Sequence, residues 1–194
     1  MSKKNVKNTK GKIITAAWDL FYEQGYDDTT VEEIIEKSGT SKGSFYHYFE
    51  GKDALLGSLS YIFDEEYERL DETFPDKTNS FDKLLYLNSA LFSMIEERID
   101  IDLLTRLYST QLITKGEKHL LDNKRTYYKL LRKIVLEGQK NGEITDKMTV
   151  NEIVKLYAMS ERALIYDWCL CNGEYSLTAY AKTVMPVFLS VIRL

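Results

Sequence analysis

The chain has 194 residues, 44% of them hydrophobic, and a formal net charge of -4 at neutral pH. That length can bury a substantial core and fits one large or two small domains. The lysine-rich start has no apolar stretch behind it and no window of roughly eighteen apolar residues occurs, so a secretory signal and a membrane span are not supported and a cytoplasmic location is expected.

Lys3, Lys4, Lys7, Lys10 and Lys12 come first, with no acidic residue among them. Such a run is a solvated tail, an arm that tracks phosphate, or both. Ile13, Ile14, Ala17, Leu20 and Phe21 then recur at helical spacing, and Gly25 is a plausible stop. Thr29-Thr30 offers a cap for a short second helix whose apolar side is Val31, Ile34 and Ile35, and Gly39 ends it. Ser41 caps the third helix. There Phe45 and Phe49 lie four apart and anchor one face, which leaves Lys42, Ser44, Tyr46 and His47 pointing outward toward phosphates and base edges. Two short helices joined by a Gly-containing turn make a helix-turn-helix, whose second helix enters the major groove of DNA.

From Lys10 to Leu56 the chain resembles the tetracycline-repressor (TetR) family of bacterial transcriptional regulators. The resemblance rests on Ala16-Ala17, Leu20-Phe21, Gly25-Tyr26, Thr29-Thr30-Val31, Ile34, Gly39, Ser41-Lys42-Gly43, Phe45-Tyr46-His47-Tyr48-Phe49, Lys52 and Leu55-Leu56. Thr40 replaces a common aliphatic residue, and Ile35-Glu36 stands where Ala is frequent; neither touches the expected DNA face. The resemblance implies that Lys42, Gly43 and Ser44 read bases, with Ser41 capping the reading helix. It also implies that Tyr46 and His47 touch phosphate, that Thr30 does so beside a positive helix end, and that Lys52 does so at the start of the fourth helix. Tyr48 suits packing and phosphate contact equally.

Beyond Lys52 helical periodicity repeats with scarcely any strand pattern. Helices are expected near 52 to 73, 80 to 98, 101 to 113, 118 to 141, 149 to 172 and 176 to 193, about nine in all with the first three. The fold class is therefore all-α: a helix-turn-helix domain over residues 1–51 and a helical ligand-binding and dimerisation domain over 52–194. The last two helices are apolar on most sides, which predicts burial partly against a second copy. TetR-like dimers use these helices, and the expected interface residues are Tyr157, Leu164, Trp168, Tyr180, Val184 and Phe188. Pro186 should kink the last helix.

Cys169 and Cys171, the only cysteines, would point about 200° apart on a helix, so a disulfide is not expected and packing is their simplest role. Two histidines without a nucleophile motif or a metal-spaced carboxylate set leave no equipment for hydrolysis. The chain reads as a non-enzyme with no cofactor and no metal. The expected function is a dimeric repressor that leaves a DNA operator when a small molecule binds. A ligand-independent DNA-organising protein and a helical small-molecule binder are the alternatives. In relatives Tyr61, Phe63, Tyr67, Phe92, Tyr108, Tyr127, Met159, Arg162 and Tyr166 lie on cavity-lining helices; each is either pocket or ordinary core. Fourteen tyrosines favour an aromatic or flat apolar effector, with Arg162 placed to meet a carboxylate.

Overall fold

The computed structural model describes residues 3–75, 77–113, 115 and 118–194, the side chains of residues 3–8, 61 and 62 excepted. The described residues form ten α-helices and no strand. The first, α1 (Lys3–Gln24), runs through the basic start, although the side chains of Lys3, Lys4 and Lys7 lie outside the described residues. Next, α2 (Val31–Ser38) begins in a capping box, where Thr30 Oγ1 accepts from Glu33 N and the Glu33 carboxylate accepts from Thr30 N. Gly39 closes it at φ 61°, a left-handed position that suits glycine. In α3 (Lys42–Tyr48) Ser41 Oγ accepts from Ser44 N at 3.1 Å. These three helices share a core of Ile13, Ala17, Phe21, Ile34, Phe45 and Phe49, all buried.

The expected long fourth helix is two. A short α4 (Lys52–Leu56) stops at Gly57-Ser58 and α5 (Leu59–Asp71) starts afresh. Tertiary contacts meet at the break: the His119 imidazole packs so closely on Gly57 that a Cβ there would stand 2.6 Å from its Cδ2. Trp18 Nε1 donates to Ser58 Oγ at 2.7 Å across the same point. This split raises the count from nine helices to ten.

The remaining helices are α6 (Ser80–Arg98), α7 (Ile101–Ile113), α8 (Thr126–Asn141), α9 (Val150–Leu170) and α10 (Leu177–Phe188). The region expected as one helix from 118 holds a 3-10 turn at His119–Leu121 and then α8. The helix α6 is central, packed against α5, α8 and α10, while α9 packs on α7, α8 and α10. Side chains fasten the bundle: the Glu96 carboxylate accepts from Leu177 N and Thr178 N, capping α10 from another helix. Pro186 sits in the last turn of α10, which ends two residues later. The chain end is held by Thr145 N donating to Ile192 O and by a lone antiparallel bridge between Ile144 and Arg193.

Candidate nucleic-acid interface and cavity

The outward face of the reading helix carries what direct readout needs. Lys42, Gly43, Tyr46 and His47 are exposed, and Ser44 is partly so. Lys42 Nζ lies 3.4 Å from Glu32, an ion pair with both side chains about 70% in solvent (68% and 70%), so it can leave for a base edge at little cost. Any side chain at Gly43 would project into open space, since its Cβ would meet only Ser41 Oγ at 3.9 Å. Tyr48 is partly buried beside the core, the packing arm of its two options.

Two expected phosphate contacts are otherwise engaged. Lys52 does not point to solvent. Its ammonium donates to the carbonyls of Tyr26 (2.6 Å), Thr29 (2.7 Å) and Asp27 (3.3 Å) and stands 4.3 Å from the Tyr26 ring centroid. An ammonium has three donors, and all three are used. The Thr30 hydroxyl donates to Glu33 at 2.8 Å inside the capping box, so its proton is also committed.

Around Lys52 a cluster joins the α1–α2 loop to the rest of the molecule. The Tyr26 hydroxyl donates to Asp53 of α4, and Arg106 of α7 pairs with Asp27 while stacking on the Tyr26 ring. Burial first, and then the bond to Asp53, push the Tyr26 hydroxyl well above its ordinary pKa. No local spacing in the chain announces this junction, because its members are 23 to 79 residues apart.

A second feature lies deep among the later helices. A small cavity of about 40 Å³ is lined by Phe63 and Tyr67 of α5, Tyr108 of α7, Tyr127 of α8 and Arg162 of α9, five of the nine expected pocket residues. Phe92 is fully buried but outside the lining, because its neighbour Leu91 faces the cavity instead. Met159 and Tyr166 stand on the opposite face of α9, 52% and 47% exposed, which removes them from the cavity. The side chain of Tyr61 lies outside the described residues.

Two charged lining residues were not anticipated. Arg125 grips Asp64 through two bonds, Nε to Oδ2 at 3.1 Å and Nη2 to Oδ1 at 3.0 Å. Glu161 is 3% exposed and accepts from the Tyr127 hydroxyl at 2.7 Å and from Asn88 Nδ2 at 3.1 Å. Burial, the larger influence, pushes the Glu161 carboxyl above the ordinary range despite these donors. A glutamate falling on the buried stripe of Tyr157, Leu164 and Ile165 was the available signal for it.

Arg162 also lines an outer groove of about 640 Å³, in which Arg132 and Lys155 are the other cations and no carboxylate takes part. Its Nη1 donates to the Tyr128 hydroxyl at 3.3 Å, a long bond that leaves most of the guanidinium available.

The three dimer residues expected on α9 do not lie on its exposed side. Tyr157, Leu164 and Trp168 are buried within the protomer, where Tyr157 donates to Leu84 O and Trp168 Nε1 to Tyr175 O. Burial of the polar atoms of Tyr157 and Trp168 is tolerated because each finds a partner there, and Leu164 has none to satisfy. Met159, Tyr166 and Leu170 of α9 are exposed instead, next in chain order to Tyr180, Val187 and Phe188 of α10; Val184 is partly buried.

Residues 13–59 match the family profile "Bacterial regulatory proteins, tetR family", and residues 63–191 match "YsiA-like protein, C-terminal region". The chain belongs to the TetR family. The regulator is 31% identical over 166 residues to the HTH-type transcriptional regulator QacR of Staphylococcus aureus, covering 81% of this chain and 85% of that one. It is 26% identical over 186 residues to the fatty acid metabolism regulator protein of Bacillus subtilis, covering 94% of each chain. Among solved structures, FadR of Bacillus subtilis in complex with stearoyl-CoA shares the fold with a TM-score of 0.71 at 24% identity, covering 95% of this chain and all of that one. FadR of Thermus thermophilus in complex with lauroyl-CoA does so with a TM-score of 0.74 at 18% identity, over 95% of each chain. The regulator is thus a ligand-responsive, DNA-binding transcription factor and not an enzyme.

Proposed function

We propose that the regulator is a dimeric repressor released from a partly palindromic operator by an amphiphile with an apolar chain and a phosphate-bearing head, of the acyl-coenzyme A class. The observation that carries this reading is Arg162 standing in the wall shared by the small cavity and a groove whose charged lining residues, Arg132, Lys155 and Arg162, are all cations. A chain entering between Phe63, Tyr67 and Ile165 would leave its head among Arg132, Lys155 and Arg162. The two FadR relatives, with stearoyl-CoA and lauroyl-CoA in their structures, support the same class.

The cavity in the present state is far smaller than the roughly 300–1,000 Å³ of a typical ligand pocket. Entry of a chain must therefore part the surrounding helices, and that difference between states is what lets a ligand shift an equilibrium. Lys42, Gly43 and Ser44 would read bases, with Ser41, Tyr46 and His47 on flanking phosphates. The division into a reader over residues 1–51 and a sensor from 52 onward belongs to this reading, with α4 as their joint. So does a second copy covering the exposed apolar faces of α9 and α10. Cytoplasmic action fits a DNA-bound protein in which no described helix is long and apolar enough to cross a membrane.

The test is operator release. Palmitoyl-CoA added to the protein on fluorescent DNA from its own upstream region should dissociate the complex, whereas free coenzyme A should not. Arg162→Ala with Lys155→Ala should raise the required concentration at least tenfold. Full occupancy of the DNA at saturating palmitoyl-CoA would overturn the proposal.

A further inference from the structure

The deep end of the cavity is not built for a plain hydrocarbon. Glu161 carries its carboxyl into it, held by Tyr127 and Asn88. Tyr67 and Tyr108 also line it, and no described hydrogen bond uses either hydroxyl. The fourth polar group, Arg125, is occupied by Asp64 and by Ser60 O at 3.0 Å. The space left, about 40 Å³, has room for about three or four waters at roughly 10–15 Å³ each. Waters there can satisfy the tyrosine hydroxyls in the closed state. An alkyl chain that displaces them cannot, and polar groups left dry and unpaired weaken binding.

We propose that this polar end recognises a hydroxyl group on the effector's chain, so that the preferred effector is an oxygenated acyl amphiphile. A hydroxyl donates and accepts at once, which matches the Glu161 carboxyl on one side and the Tyr108 or Tyr67 hydroxyl on the other. A cationic partner is disfavoured there, because it would have to sit near Arg125 and Arg162, which also line the cavity. Sites that hydrogen-bond a ligand hydroxyl reject the analogue lacking it more strongly than apolar sites reject an extra methylene. The proposal rests on the effector reading above and names the chemistry of its chain.

The experiment compares palmitoyl-CoA with a series of hydroxypalmitoyl-CoA esters in which one hydroxyl is moved along the chain, each titrated against the full-length protein by calorimetry. One position should bind on the order of tenfold tighter than palmitoyl-CoA. Tyr108→Phe, which removes a single oxygen and leaves the ring, should reduce that preference below threefold. Equal affinity for palmitoyl-CoA and every hydroxylated ester would overturn this inference while the effector reading stands. A preference that survives both Tyr108→Phe and Tyr67→Phe would overturn it as well. If none of the esters binds, the effector reading falls and this inference with it.

Discussion

Lys52→Met separates two roles that one residue could play in this fold. The substitution keeps the length of the stem and removes the ammonium that bonds the carbonyls of Tyr26 and Thr29 at 2.6 and 2.7 Å. Hydrogen bonds to charged groups contribute about 1.5–3 kcal/mol each when buried, and partial exposure of Lys52 lowers this to roughly 1 kcal/mol apiece. The long bond to Asp27 adds little, and the ammonium over the Tyr26 ring adds about 0.5–1 kcal/mol. The total is about 2–3 kcal/mol, which at about 2–4 °C per kcal/mol for a chain of this size lowers Tm by roughly 5–10 °C. Differential scanning fluorimetry reads that shift, and DNA binding across a salt series supplies the contrast. Loss of a phosphate contact would flatten the slope of log affinity against log salt by about 0.9 and leave Tm in place. A clamp gives a lower Tm, weaker DNA binding and an unchanged slope. A flatter slope at constant Tm would refute the clamp.

Three further outcomes are expected. Lys42→Ala should cost about 1–3 kcal/mol of operator affinity and relax selectivity at one base pair per half-site, with Tm unmoved because its Glu32 partner is exposed; undiminished selectivity in a binding-site selection would remove it from the base-reading set. Leu170→Asp combined with Val187→Asp should yield a folded monomer in sedimentation velocity, because both side chains are about two-thirds exposed (67% and 66%), and a dimer that survives would place the interface elsewhere. Glu161→Gln should be pH-selective: a folded-state pKa raised above the ordinary 4.5 means the folded form holds its proton longer, so wild-type stability falls as pH rises from about 4.5 toward the folded value. The gain in Tm from Gln should accordingly be absent near pH 4 and grow toward neutrality, and a gain of equal size at all pH values would show that Glu161 does not titrate anomalously.

What could be read in advance was local. The Thr30 and Ser41 caps close over three residues, and the apolar anchors of the reading helix recur within one turn. Their partners are neighbours in the chain, so spacing alone places them. The break at Gly57-Ser58 was invisible for the opposite reason. The contacts that meet there come from Trp18 and His119, tens of residues away on either side, and Gly57 by itself is tolerable within a helix. The helix α9 is apolar on most sides, and periodicity does not say which side turns inward. The inward side is the one that meets Leu84 O and Tyr175 O, acceptors that only the folded bundle brings to Tyr157 and Trp168. Lys52 misled in the same way: a lysine at a helix start reads as solvent-facing until three carbonyls converge on it.

These long-range contacts also shorten the distance a ligand signal must travel. Tyr108 lines the cavity, and Arg106, two residues earlier on α7, pairs with Asp27 and stacks on Tyr26 of the reader. Phe63 lines it too, and the start of its helix α5 lies beside Ser58, which holds Trp18 of α1. Two of the helices that would part to admit the proposed effector thus bear on the reader directly, α7 from its middle and α5 from its first turn. Neither contact alone would transmit a shift, because a single exposed ion pair such as Arg106–Asp27 contributes at most about 1 kcal/mol. Together with the Lys52 clamp and the Tyr26–Asp53 bond they hold one loop from α4 and α7 at once. On the proposed reading, moving α7 relative to α4 would force that loop to choose which partner to keep, and a choice between discrete partners would convert a small displacement into two alternative positions of the reading helix.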